Sequence, residues 1–108
     1  MNYIKIINDN IQINQMINNW SKARKFKVLQ YRFKGCNQDL TECYLQNPNT
    51  QKIYTIREND FQFLENYWTD YNNNAITRHE LRNLNRSTTY TICLMHYLEI
   101  NNLLNLKK

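Results

Sequence analysis

The 108-residue chain carries 14 Lys and Arg against 9 Asp and Glu, a net charge of +5, with 42% apolar and 13% aromatic residues. That is enough apolar material for one core and too little chain for two independent ones, so residues 1–108 are expected to form a single domain. No apolar run approaches the roughly 18 residues of a membrane span, and no basic leader precedes an apolar stretch, so the expected setting is cytoplasmic, away from membranes.

Met1 to Ile7 is apolar and β-branched, which suits either a short strand or the lead-in to a helix. From Asn10 to about Arg24, Ile13, Met16, Ile17 and Trp20 recur at three- and four-residue steps, predicting the first helix. "KFKVLQYRFKG" then alternates, with Leu29, Tyr31 and Phe33 on one side and Gln30, Arg32 and Lys34 on the other, as in a half-buried strand. "LTECYLQ" and "KIYTIR" are also strand-like, and "NPNTQ" between them signals a turn. Asn59 or Asp60 is placed to cap a helix beginning at Phe61, with Phe61, Leu64 and Trp68 as its apolar stripe.

Thr77 and Glu80 stand in the T-x-x-E spacing of a capping box, so a short helix is expected from Arg78, with Leu81 and Leu84 inward and Ile76 as staple. Asn85-Arg86 breaks it. Ser87, Thr88 or Thr89 is positioned to cap a last helix that buries Ile92, Met95 and Leu98 and stops at Asn101-Asn102. The expected fold is therefore α+β: an N-terminal helix, a small three-stranded antiparallel meander and a C-terminal three-helix, helix-turn-helix core. Residues 1–58 supply the helix and meander, and residues 59–108 the helix-turn-helix portion.

Charge is distributed unevenly along this order. Residues 1–38 hold Lys5, Lys22, Arg24, Lys25, Lys27, Arg32 and Lys34 against Asp9 alone, a balance of +6; residues 39–74 come to −4, and residues 75–108 to +3. Basic ends around an acidic middle predict one or two positive surfaces, which recruit polyanions by releasing counterions. In the first of them Trp20, Phe26, Tyr31 and Phe33 are interleaved with the bases, the pairing that single-stranded nucleic acid favours, although the same rings fall on the buried phase of their elements.

Cys36, Cys43 and Cys93 are an odd number, as expected of reduced thiols. Together with His79 and His96 they lack the C-x-x-C pair that anchors a zinc site, so no metal and no cofactor is expected. There is also no glycine-rich phosphate loop, G-x-S-x-G or H-E-x-x-H, and Tyr90 lacks the set of bases that a strand-transfer tyrosine requires. The chain reads as non-enzymatic. Its heavy use of Asn and Ile over Ala and Gly fits an A+T-rich genome, a mobile element among the sources.

Helix, short turn, helix, with a supporting helix before them, is the order of a tri-helical DNA-binding core. The run Ile76-Thr77…Glu80-Leu81, then Arg86-Ser87-Thr88-Thr89-Tyr90, then Tyr97-Leu98-Glu99-Ile100-Asn101-Asn102-Leu103-Leu104, resembles the winged-helix regulators over about residues 60–104. The resemblance implies a recognition helix whose first residues, Ser87, Thr88, Thr89 and Tyr90, enter the major groove. It also implies that Arg86 grips guanine and that Arg78 and Arg82 clamp phosphates. Only four residues follow Leu104, so any wing contact is expected from strands upstream, or not at all. Lys22, Arg24, Lys25, Lys27, Arg32 and Lys34 form a second expected nucleic-acid contact. The alternative reading is an accessory subunit of a replication or recombination enzyme that binds single strands or a protein. Leu103, Leu104 and Leu106 would then offer a partner or homodimer surface.

Overall fold

The computed structural model describes residues 2–20 and 29–104. In chain order these form α1 (Tyr3–Asn10), β1 (Met16–Asn18), β2 (Gln30–Cys36), β3 (Glu42–Gln46), β4 (Ile53–Arg57), α2 (Glu58–Asn72), α3 (Arg78–Leu84) and α4 (Thr88–Ile100). The fold is α+β, as expected, but with four strands in place of three. They lie in the order β1-β2-β3-β4, every neighbouring pair antiparallel.

The extra strand comes from the stretch expected to be the first helix. Asn14 turns the chain at φ 74°, and the next residues join β2: the Asn14 amide donates to Phe33 O at 2.7 Å, and the Phe33 amide to Gln15 O at 2.8 Å. Ile17 then faces inward between outward Met16 and Asn18, because three residues of period two bury it as well as a helix would. Ile13, expected to be inward, is left 65% exposed. The remainder of that expected helix, residues 21–24, lies outside the described residues.

The first helix is instead α1. Its opening amides are satisfied locally by Asn2 Oδ1, which accepts from the Lys5 amide at 3.1 Å, and remotely by Glu58, whose two carboxylate oxygens accept from the Tyr3 and Ile4 amides at 3.0 and 2.9 Å. An anion at a helix N-terminus satisfies orphan donors and complements the dipole. Tyr3, Ile4 and Ile7 are the buried face of α1, with the Tyr3 ring stacked on Phe61 at 5.2 Å.

Tyr31 and Phe33 of β2, Cys43 and Leu45 of β3, and Ile56 of β4 alternate into the core, so one face of the sheet is covered by helices and the other is left to Arg32, Lys34, Tyr44 and Gln46. The β2–β3 register shifts between Phe33 and Cys36. Gly35 sits in that bulge at φ +95°, a conformation L side chains rarely adopt. The bulge carries the Cys36 thiol onto the covered face, 4.0 Å from the Ile4 carbonyl oxygen.

Helix α2 starts earlier than expected. Arg57 holds the capping position, and Asp60, three residues on, accepts from its amide at 2.8 Å instead of capping. Phe61, Leu64 and Trp68 are its buried stripe, as expected, joined by Tyr71. The Thr77–Glu80 capping box of α3 forms in both directions: Thr77 Oγ1 accepts from the Glu80 amide, and Glu80 Oε1 from the Thr77 amide. Leu81 is fully buried, but Leu84 is 61% exposed, since α3 ends before a second inward turn is made.

Helix α4 packs against α2, α3, β1 and β4. Thr88, Thr91, Ile92, Cys93, Leu94, Met95 and Leu98 are all buried, so apolar contact surrounds most of it. It is the central helix of the core. Asn102 closes it at φ 57°, with the Leu103 amide returning to Leu98 O at 2.9 Å. Leu103 and Leu104 fold back onto the core; Leu106 lies outside the described residues.

Candidate nucleic-acid interface

The α3–α4 corner turns on Asn85. Its amide closes α3 on Leu81 O at 2.9 Å, its Oδ1 accepts from the Ser87 amide at 2.8 Å, and its Nδ2 donates to Asp60 Oδ1 at 3.0 Å. One asparagine thus makes the turn through its own side chain and ties it to the start of α2. Nothing local in the sequence announces the second tie, because Asp60 is 25 residues away.

Outside this turn, His79, Arg82, Asn83 and Arg86 line an open groove of about 330 Å³. Their spacing (i, i+3, i+4, i+7) puts them on one face of α3 and its exit. Arg82 and Arg86 are exposed. Among the described residues the ion pairs are Lys5–Asp9 and Arg57–Glu42, and neither arginine of the groove takes part in one. Arg78 does not line this groove: it is half-buried, and its positive charge opposes the upward push that burial gives the Tyr31 phenol, which rises to about 12.

The residues expected to enter a major groove fare differently from one another. Thr88 is a correction. It is 2% exposed, and its hydroxyl donates inward to Asn85 O at 2.7 Å and Leu81 O at 3.3 Å, so it faces no ligand. Ser87 and Thr89 are half-buried. Ser87 O accepts from the Tyr90 and Thr91 amides and from Thr91 Oγ1. None of the three expected caps uses its hydroxyl on the α4 amides; Ser87 stands at the cap position without such a bond. Tyr90 is half-buried, its ring stacked on Tyr54 at 4.1 Å and edge-on to Tyr31 at 5.4 Å. Burial raises its phenol pKa first, Tyr54 adds to the rise, and Arg82 opposes it.

Of the second basic group, Arg32 and Lys34 project from the uncovered face of the sheet, Arg32 between Met16 and Gln46 in register and Lys34 with its ammonium on Asn14 Oδ1 at 3.1 Å. Lys22, Arg24, Lys25 and Lys27 lie outside the described residues. Neither Arg32 nor Lys34 lines the α3 groove. Tyr54 and Lys52 were not among the expected contacts.

The thiols and imidazoles weighed for zinc are dispersed. Cys36 and Cys43 are cross-strand neighbours, Cys93 donates to Thr89 O within α4, His79 is on the α3 groove, and His96 stacks on Trp20 at 3.7 Å. Among the described residues no three metal-ligating side chains come together, and no helix is long and apolar enough to cross a membrane. Comparison with protein-family models, with curated proteins and with solved structures gives no match.

Proposed function

We propose that this chain is a non-enzymatic nucleic-acid-binding protein that grips the phosphate backbone with the outer face of α3 and the turn after it. The carrying observation is the groove of His79, Arg82, Asn83 and Arg86, in which two exposed guanidiniums stand free of ion pairs beside two further hydrogen-bonding side chains. Planar guanidiniums suit phosphate oxygens in geometry and charge. The reading keeps a winged-helix-like core in α2, α3 and α4 and changes how it docks. Helix α4 is surrounded by apolar neighbours, so it supports the contact surface from within, and base contacts are left to Arg86, Ser87 and Thr89. Binding of this kind is strong in charge and weak in sequence choice.

A second reading, as accessory subunit beside a larger cytoplasmic replication or recombination enzyme, is favoured by the same burial of α4. A module that holds a strand for another protein has no need of a base-reading helix.

The test is the salt dependence of duplex binding, followed by fluorescence anisotropy. Each phosphate contact contributes about 0.9 to the slope of log affinity against log salt. Arg82→Ala and Arg86→Ala are each expected to lower that slope by about one with the melting temperature unchanged. Wild-type slopes retained in both variants would exclude this surface.

A further inference from the structure

Beside the α3 groove stands an aromatic pair that phosphate gripping does not require. Tyr54 on the edge strand β4 and Tyr90 on the first turn of α4 stack at 4.1 Å with an interplanar angle of 17°, and both are only half-buried. Tyr31, buried behind them, meets Tyr90 edge-on at 5.4 Å and Tyr54 edge-on at 6.5 Å, so the pair is held in place from the core side. One face of the Tyr54 ring is taken by Tyr90. The Lys52 ammonium also lies over the Tyr54 ring, 5.5 Å from its centroid. A flexible, exposed cation thus lies over a half-buried tyrosine ring, with Arg82 of the groove close enough to Tyr90 to act on its phenol.

We infer that the Tyr54–Tyr90 stack is a nucleobase platform that makes single-stranded nucleic acid the preferred ligand of this protein. The inference rests on the α3 phosphate reading and names its substrate class. A base displaces the Lys52 ammonium from the Tyr54 ring and extends the stack to three rings. Lys52 is released to the adjacent phosphate, while Arg82 and Arg86 hold the backbone farther along. Stacked rings with flanking cations are the elements by which single strands are bound without sequence preference. In a duplex each base is already stacked between its neighbours, so the Tyr54 ring gains nothing from one. Deoxyribose and ribose strands present the same bases and phosphates to this platform, and the test separates them.

The probes are labelled oligo-dT, oligo-dU and oligo-rU strands of about twelve nucleotides, within the span such sites cover, an abasic deoxyribose-phosphate strand of equal length, and a duplex. Each base-bearing strand is expected to bind about tenfold more tightly than the abasic strand, matching one stacked base, and the tighter of oligo-dU and oligo-rU, which share one base, identifies the sugar. Tyr54→Leu is expected to remove that tenfold difference. Tyr54→Trp is expected to keep it and to add an indole emission that oligo-dT or oligo-rU quenches and the abasic strand does not, a readout that stands even if the leucine variant fails to fold. Equal binding of base-bearing and abasic strands, or unchanged binding by a folded Tyr54→Leu, overturns the platform. Loss of binding in Arg82→Ala and Arg86→Ala with none in Tyr54→Leu overturns the platform and leaves the phosphate surface standing. No binding to any probe overturns both.

Discussion

Thr88→Val separates a core residue from a base-reading one. Valine keeps the shape of threonine and removes only the hydroxyl, which donates to Asn85 O at 2.7 Å and more weakly to Leu81 O at 3.3 Å. Neither acceptor is orphaned by the change: Asn85 O still receives the Thr88 amide at 3.3 Å, and Leu81 O the Asn85 amide at 2.9 Å. The cost is therefore the net worth of one good hydrogen bond, about 1 kcal/mol. At about 2.1 cal/mol/K of unfolding entropy per residue, a chain of 108 residues loses about 4 °C of melting temperature for that energy. Binding to duplex or single strand should stay within about twofold, because Thr88 is 2% exposed. Thermal denaturation followed by circular dichroism, paired with anisotropy titration, measures both quantities. An unchanged melting temperature together with a tenfold loss of affinity would refute the argument and return Thr88 to the contact surface.

Two further predictions concern the scaffold. Glu58→Ala strips acceptors from the Tyr3 and Ile4 amides at once and should cost about 2 kcal/mol, twice an ordinary helix cap; a denaturant midpoint equal to wild type would show that α1 does not depend on it. His96 is held below its ordinary pKa of 6.5, first by burial, with Glu99 pulling the other way. The unfolded chain then takes up this proton before the folded one, so stability falls as pH drops below about 6.5. His96→Phe should flatten the pH dependence of melting between about pH 7.5 and 5 relative to wild type, and identical curves would refute the assignment.

The sequence was most legible where local chemistry and tertiary packing agree. The alternation of Tyr31 and Phe33, the Thr77–Glu80 box, the Asn85 break and the Asn102 terminus all appear as expected, because each is decided within a few residues. Residues 10–20 were misread because apolar positions at 13, 16, 17 and 20 satisfy a helical period, while the actual structure there is set by bonds to β2. Helix α1 was hidden for the converse reason: its β-branched residues suit a strand, and the carboxylate that fixes it lies at position 58. The site was half legible. Arginine spacing pointed to α3, but the unbroken run Ile92-Cys93-Leu94-Met95, the mark of a helix buried all round, was the signal that α4 is no free recognition helix. The Tyr54–Tyr90 stack joins residues 36 apart in sequence and has no local signature.

The Glu58 clasp also has a kinetic meaning. Each strand of the sheet pairs with the next in sequence, so the meander assembles through short closures. The clasp spans 54 and 55 residues and exists only once β4 has delivered Glu58 to the base of α2. Docking of α1 is then expected to form late, after the barrier, so that its loss quickens unfolding while refolding proceeds at nearly the wild-type rate. One carboxylate at the end of the sheet is thus expected to lengthen the lifetime of the folded state more than it changes how fast that state is reached.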